Sequence, residues 1–231
     1  MLDIRGLRGG WGPTTVIEDF SIVLHAGEAV SIVGRNGVGK STLLELIVGR
    51  ASRQAGEIRL GSADIAGLPI YRRSQLGLGY VPQQREVFPS LTVKEHLAIA
   101  ARPGRWDAET IFAVFPSLAR RVRSLGKALS GGEQQMLSIA RALIGNPHVL
   151  LMDEPSEGLA PVVLEQLVRA IRQVVKDGSL AILLVEQRVE IALDLSHRCI
   201  VMDRGSIVFE GSSAALKDDV AQLVRFLGIN E

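Results

Sequence analysis

The chain has 231 residues, 47% of them hydrophobic, with 26 basic and 25 acidic side chains and a formal charge of +1. That length and apolar content suffice for a substantial core in one domain, with room for a subdomain. Balanced charge removes any whole-chain electrostatic case for nucleic acid or anionic lipid, and a single cysteine, Cys199, removes an internal disulfide and suits a reducing compartment.

The N-terminal run Met1-Leu2-Asp3-Ile4-Arg5 lacks the basic-then-apolar layout of a signal peptide. No apolar run approaches the roughly 18 residues that span a bilayer, so a soluble, cytosolic chain is expected. Leu2–Leu7 and Val16–Leu24 alternate in the manner of antiparallel strands, whereas Ala29–Val33 is almost continuously apolar, as in a strand covered on both faces.

Directly after that strand comes Gly34-Arg35-Asn36-Gly37-Val38-Gly39-Lys40-Ser41, then Thr42 and a helical pattern. The run meets G-x-x-x-x-G-K-[ST] at every fixed position, in the strand-then-helix context that this chemistry needs. Glycines let the backbone turn successive N–H groups toward phosphate oxygens at the positive end of a helix. Lys40 is expected to reach the β- and γ-phosphates, and the Ser41 hydroxyl to ligate Mg²⁺.

From Leu91 to Leu143 the sequence reads as helical, with no clear strand. It contains a local basic cluster, Arg120, Arg121, Arg123 and Lys127, best explained as a solvated helix face and loop. Within it, Leu129-Ser130-Gly131-Gly132-Glu133-Gln134-Gln135 opens a helix with a capping box, and Met136, Ile139, Ala140 and Leu143 form its apolar stripe. Two glycines at that helix mouth are costly unless a backbone must approach something closely, and the bare amides there form a second anion site.

Val149–Met152 is a buried strand that delivers Asp153 and Glu154 at its C-terminal end, where open α/β sheets place their chemistry. Asp153 is expected to hold Mg²⁺ through water, and Glu154 to take a proton from an attacking water. Leu180–Val185 is another buried strand. Cys199 lies in the apolar run Cys199-Ile200-Val201-Met202 and reads as a buried thiol. A short strand, Ile207–Phe209, precedes a last helix starting near Ser212 or Ser213. Short apolar strands alternating with helical patterns predict an α/β fold of the P-loop NTPase type, with a mostly parallel core sheet and N-terminal antiparallel strands. Residues 1–84 and 147–231 would form the nucleotide-binding core of one domain, and 85–146 a helical subdomain.

With the phosphate loop, the paired acids and the Leu129–Gln134 run together, the chain resembles the nucleotide-binding subunit of an ATP-binding-cassette (ABC) transporter. In that family two subunits pair head-to-tail. The resemblance implies that Gly34, Arg35, Asn36, Gly37, Val38, Gly39, Lys40, Ser41 and Thr42 hold this subunit's ATP. It also implies that Ser130, Gly131 and Gly132 cover the γ-phosphate of a partner's ATP. Trp11 matches the aromatic that stacks on adenine, and Gln83 the glutamine that contacts Mg²⁺ and the attacking water. Ser156 to Pro161 matches a loop that touches the opposing subunit.

One position departs from the family: Gln187 stands where a His usually contacts the γ-phosphate. A neutral amide hydrogen-bonds a phosphate oxygen but carries no positive charge. Several stretches resemble one branch closely: Tyr80-Val81-Pro82, Phe88 through Val93, Glu133 through Leu137, Glu154-Pro155-Ser156 with Gly158 through Pro161, and Leu184 through Gln187. They are similar to the shorter ATPase subunit of branched-chain amino-acid importers and related urea importers, in which Gln187 is itself typical. Gly34 through Val38 lean toward the urea type.

The branch implies two membrane permeases, a second, non-identical ATPase and a solute-binding protein, with the chain on the cytoplasmic face of the membrane and no nucleic acid bound. The competing expectations are the ATPase of a lipid or polysaccharide exporter, and a soluble ABC ATPase acting on nucleic acid or ribosomes. A non-enzymatic regulatory subunit is disfavoured by Lys40, Asp153 and Glu154.

Overall fold

In the computed structural model, which describes residues 1–218, the chain runs β1 (Leu2–Trp11), β2 (Thr14–Leu24), β3 (Ala29–Val33), α1 (Lys40–Val48), β4 (Ser52–Leu60), β5 (Ala63–Asp64), α2 (Ile70–Gln75), β6 (Leu78–Val81), α3 (Val93–Ala100), α4 (Ala108–Val114), α5 (Pro116–Arg120), α6 (Gly131–Leu143), β7 (Val149–Asp153), α7 (Pro161–Asp177), β8 (Ala181–Val185), α8 (Val189–Leu195), β9 (Arg198–Asp203), β10 (Ser206–Ser212) and α9 (Ser213–Asp218). The strands line up as β5-β4-β1-β2-β10-β9-β3-β8-β7-β6.

Every residue of β3, β7 and β8 is buried. These strands pair in parallel with one another and with β6 and β9. Hydrophobic clusters cover both of their faces: Ile32, Leu151 and Leu183 pack with α1 residues such as Leu43 and Ile47, while Leu150 and Ile182 pack with Ile139 of α6 and Leu167 and Ile171 of α7. Burial on both sides explains why these strands lack alternation. The N-terminal strands behave differently. β1 pairs antiparallel with β2 and β4, and β4 with β5, and this layer joins the central sheet through a parallel bridge between Ser206 and Asp19.

Because β3, β6, β7 and β8 run the same way, the segments that leave their C-terminal ends meet at one edge of the sheet. Those segments begin at Gly34, Pro82, Glu154 and Glu186. Between β6 and β7 lie α3, α4, α5 and α6 with no named strand, only an isolated bridge from Thr92 to Leu125. Capping boxes at Thr92/Glu95, Asp107/Thr110 and Ser130/Glu133 fix the starts of α3, α4 and α6. Each such cap is worth about 1 kcal/mol, enough to place a helix start that packing alone leaves loose.

The structure extends some expected elements and adds others. β1 continues past Leu7 to Trp11, through irregular pairing around Leu7 and Gly9. β4 was not legible: its first residues, Ser52–Ala55, are all exposed and mostly polar, and its pairing with β1 rather than its own pattern makes it a strand. The last helix starts at Ser213, and the residues after Asp218 lie outside the described residues. No helix among the described residues is long and apolar enough to cross a membrane.

Candidate active site

A cavity of about 410 Å³ opens at the shared strand edge, lined by Val16, Asn36, Gly37, Gly39, Lys40, Ser41, Thr42, Gln83, Glu154, Glu157 and Gln187. Its floor is the turn from β3 into α1. Gly39 sits at φ +107° as the N-cap of α1 and has no side chain with which to cap it. A residue with a Cβ is strained in that conformation, so glycine both allows the turn and leaves the first helical amides open to an anion. Lys40 begins the helix and is 4% exposed; its ammonium donates to the carbonyls of Gly34 (2.9 Å) and Arg35 (3.1 Å) and lies 3.4 Å from Glu154 Oε1. A buried ammonium tied to its own loop is a fixed positive charge at the cavity wall.

Ser41 Oγ donates to Asp153 Oδ1 at 3.0 Å. Burial pushes the Asp153 carboxyl up to about 6; the neighbouring charge of Glu154 adds to the rise, and the Ser41 bond and Lys40 oppose it. A hydroxyl beside a carboxylate this reluctant to ionise fits a divalent cation, which would restore the charged form. Among the described residues no group of three or more His, Cys, Asp or Glu gathers to hold a metal by itself.

Glu154 follows β7 directly, 6% exposed and at φ +45°, its N–H bonded to the Val185 carbonyl at 2.9 Å. A left-handed backbone at a bulky residue is strained, and the strain turns its carboxylate into the cavity rather than along the strand. Glu154 Oε2 accepts the Gln187 amide at 2.5 Å and, at 3.4 Å, that of Gln83, which also donates to Glu157 Oε2 at 2.5 Å. Lys40, Gln83, Glu154 and Gln187, from four separate segments, thus surround one point.

Other expected residues fall outside the cavity lining. Trp11 ends β1 half exposed, its indole N–H donating to Thr42 Oγ1 at 3.3 Å, which brings the ring to the first turn of α1. Gly34, Arg35, Val38 and Asp153 are not among the lining residues. Ser130, Gly131 and Gly132 lie at the start of α6 and are not among the lining residues either. There the structure adds an internal contact to the reading of the paired glycines. A Cβ on Gly132 would stand 2.1 Å from Val163 Cγ1, so the close approach at Gly132 is internal, to the first turn of α7. Gly131 is exposed, and a Cβ there would meet only the tip of Arg85, at 2.9 Å.

Sequence reasoning missed Val16 and Glu157 in the lining. It also gave no role to Glu186, a 1% exposed carboxylate beside the site. The available signal for Glu186 was an acid closing an apolar strand, the pattern already read at Asp153.

This fold, with a glycine-turned phosphate loop after β3 and acids at the end of β7, a parallel strand separated from β3 by β8, defines a P-loop nucleoside triphosphatase. Residues 17–157 match the family described as ABC transporter. The chain is 38% identical to the high-affinity branched-chain amino acid transport ATP-binding protein BraG of Pseudomonas aeruginosa, over 94% of each. It is 36% identical to the probable branched-chain amino acid transport ATP-binding protein LivF of Archaeoglobus fulgidus, again over 94% of each. The lipopolysaccharide export system ATP-binding protein LptB of Haemophilus influenzae is 31% identical, over 95% of this chain and 93% of that one. A solved nucleotide-free ATP-binding cassette from an ABC transporter superposes with a TM-score of 0.81 at 25% identity, over 100% of this chain and 99% of the other. The chain belongs to the ABC transporter family, as an ATP-binding, ATP-hydrolysing subunit.

Proposed function

We propose that the chain powers solute import through membrane permeases, with branched-chain amino acids or urea as the solute. Supporting the solute class is the greater identity to BraG and LivF than to LptB. Supporting the chemistry is one observation: Glu154 lies between the buried Lys40 and the carboxamides of Gln83 and Gln187 in a single cavity.

In this reading ATP seats its phosphates on the amides of Gly37 to Thr42, with Lys40 neutralising the β- and γ-phosphates and Trp11 against the adenine. Gly34, Arg35, Asn36 and Val38 shape the loop. When bound, Mg²⁺ would be held by Ser41, Gln83 and, through water, Asp153, and would supply charge neutralisation on the phosphates. Glu154 takes the proton of the attacking water. Gln83 and Gln187 orient that water and the γ-phosphate, and Ser130, Gly131 and Gly132 of a paired subunit close the site from outside. Positioning and fixed charge carry the rate, with no covalent intermediate on the protein.

Residues 85–146 act as a helical subdomain coupled to the site through the loop after Gln83. Arg85 and Glu86 in that loop have φ of +64° and +46°, and it is held by Arg141 donating to the Glu86 carbonyl (2.7 Å) and by the Arg50–Glu86 ion pair (2.9 Å). Beside it runs a groove of about 400 Å³ lined by Ile70, Tyr80, Ile99, Arg102 and Arg141 among others, next to exposed Phe88. A groove that mixes apolar side chains with Arg73, Arg102 and Arg141 suits a cytoplasmic helix of a permease. The chain then lies peripherally on the cytoplasmic face of the membrane, paired head-to-tail with a second, non-identical ATPase and served by a solute-binding protein. The similarity to LptB keeps an exporter ATPase as the second reading.

The test is to purify a tagged Glu154→Gln form from gently solubilised membranes with Mg-ATP. Two permeases and a second ATPase of the amino-acid or urea type are expected. A lipid exporter's permeases would favour the second reading, and a chain recovered alone or with nucleic acid would end the transport assignment.

A further inference from the structure

β8 ends at Val185, and the next residue, Glu186, is 1% exposed. Its backbone is already fixed, because its N–H donates to the Ile32 carbonyl at 3.0 Å, continuing the ladder between β8 and β3. The strand therefore does not need a carboxylate here. A buried acid carries a steep desolvation cost that a neutral residue would avoid. Burial raises the Glu186 carboxyl to about 7 even though it accepts hydrogen bonds.

What the carboxylate touches explains it better. Glu186 Oε1 accepts the backbone N–H of Ser156 at 3.2 Å, and Oε2 accepts the Ser156 hydroxyl at 2.7 Å. Ser156 is itself buried, two residues after Glu154. The next residue of the Glu186 segment, Gln187, donates to Glu154 Oε2 at 2.5 Å. Two consecutive residues of one segment thus grip two alternate residues of another. The contact between Gln187 and Glu154 lies in the cavity, and the contact between Glu186 and Ser156 lies behind it.

We propose that Glu186 is a positioning residue for hydrolysis: by holding Ser156 it fixes where the loop after β7 places Glu154 against Gln187. The same grip makes the loop and the Gln187 segment move as one body. Displacement of the stretch from Ser156 to Pro161 by a paired subunit is then carried to Glu154 through Glu186. This rests on Glu154 acting on the attacking water.

The test is a double-mutant cycle. Glu186→Gln preserves volume and one acceptor oxygen, and Ser156→Ala removes the hydroxyl it would bind. Each single variant is expected to lower kcat about tenfold, with KM for Mg-ATP and nucleotide affinity unchanged and Tm not lowered, since small misplacements of a catalytic group act on rate rather than on binding. The double variant is expected to be no slower than the slower single one, and Ser156→Thr to restore turnover. Unchanged kcat in Glu186→Gln, additive losses, or a parallel fall of Tm and nucleotide affinity would overturn the proposal. If Glu186→Gln does not fold, Ser156→Ala and its rescue by Ser156→Thr decide it. Glu154→Gln is the control: full turnover in that form would remove the underlying reading instead.

Discussion

The two glycines at the start of α6 can be separated by single methyl groups. Neither backbone lies in the left-handed region, so alanine introduces no φ strain at either position. At Gly132 the new Cβ would stand 2.1 Å from Val163 Cγ1 and 3.2 Å from Val163 Cβ. Val163 is β-branched and stiff, so α6 and α7 must part slightly. Overpacking of this kind costs about 1–3 kcal/mol, and the higher helix propensity of alanine returns up to about 1 kcal/mol. With contact as close as 2.1 Å the cost sits at the upper end of that range, and a net loss of about 2 kcal/mol lowers Tm by roughly 4–8 °C in a domain of this size.

At Gly131 the new methyl meets only the guanidinium tip of Arg85 at 2.9 Å, which a flexible side chain relieves. Gly131→Ala is therefore expected to leave Tm unchanged or slightly raised. If its exposed backbone approaches a partner's γ-phosphate, the same methyl blocks that approach and ATPase turnover falls tenfold or more, about 1.4 kcal/mol in barrier. Thermal denaturation and steady-state ATPase assays on the two variants give the comparison. Full turnover in Gly131→Ala would refute the assignment of Gly131 to a partner's nucleotide. Wild-type stability in Gly132→Ala would refute the packing argument.

Lys40→Ala is expected to abolish ATP binding by equilibrium titration, since it removes the charge held by the carbonyls of Gly34 and Arg35. Glu154→Gln should retain ATP and accumulate an ATP-bound dimer detectable by size-exclusion chromatography; full hydrolysis would remove Glu154 from its role. Gln187→His is expected to keep or raise turnover, because an imidazole can occupy the same place and carry charge. A collapse of turnover with ATP binding intact would show that the carboxamide itself is needed. The Glu186 carboxyl is raised from 4.5 to about 7, chiefly by burial, with the charge of Glu154 adding and the Ser156 bonds opposing. Its folded form therefore binds the proton more tightly, a contribution complete below about pH 4.5 and lost as pH rises through about 7, worth about 3 kcal/mol. Stability of the wild type should fall relative to Glu186→Gln across that window, and parallel curves would refute the burial argument.

What the sequence determined by itself was local chemistry carried on short, strongly patterned stretches. Ala29–Val33 and the residues from Gly34 to Thr42 form a strand, a glycine turn and a helix start whose geometry is set by adjacent residues, and the structure places them so. Val149–Met152 with its two acids was legible for the same reason: continuous apolarity marks burial on both faces, and the sequence order puts the carboxylates at the strand end. Ser130 and Glu133 announced a helix start because a capping box lies within four residues. The tertiary structure decided what depends on distant partners. β4 is a strand because β1 pairs with it, despite an exposed and polar beginning. Gly132 owes its lack of a side chain to Val163, 31 residues further along the chain. Glu157 and Glu186 join the site because parallel strand order, β3-β8-β7-β6, gathers chain segments that sequence separation keeps apart. Periodicity and spacing encode what a segment is, but only the packing of one segment against another selects which carboxylate meets which amide.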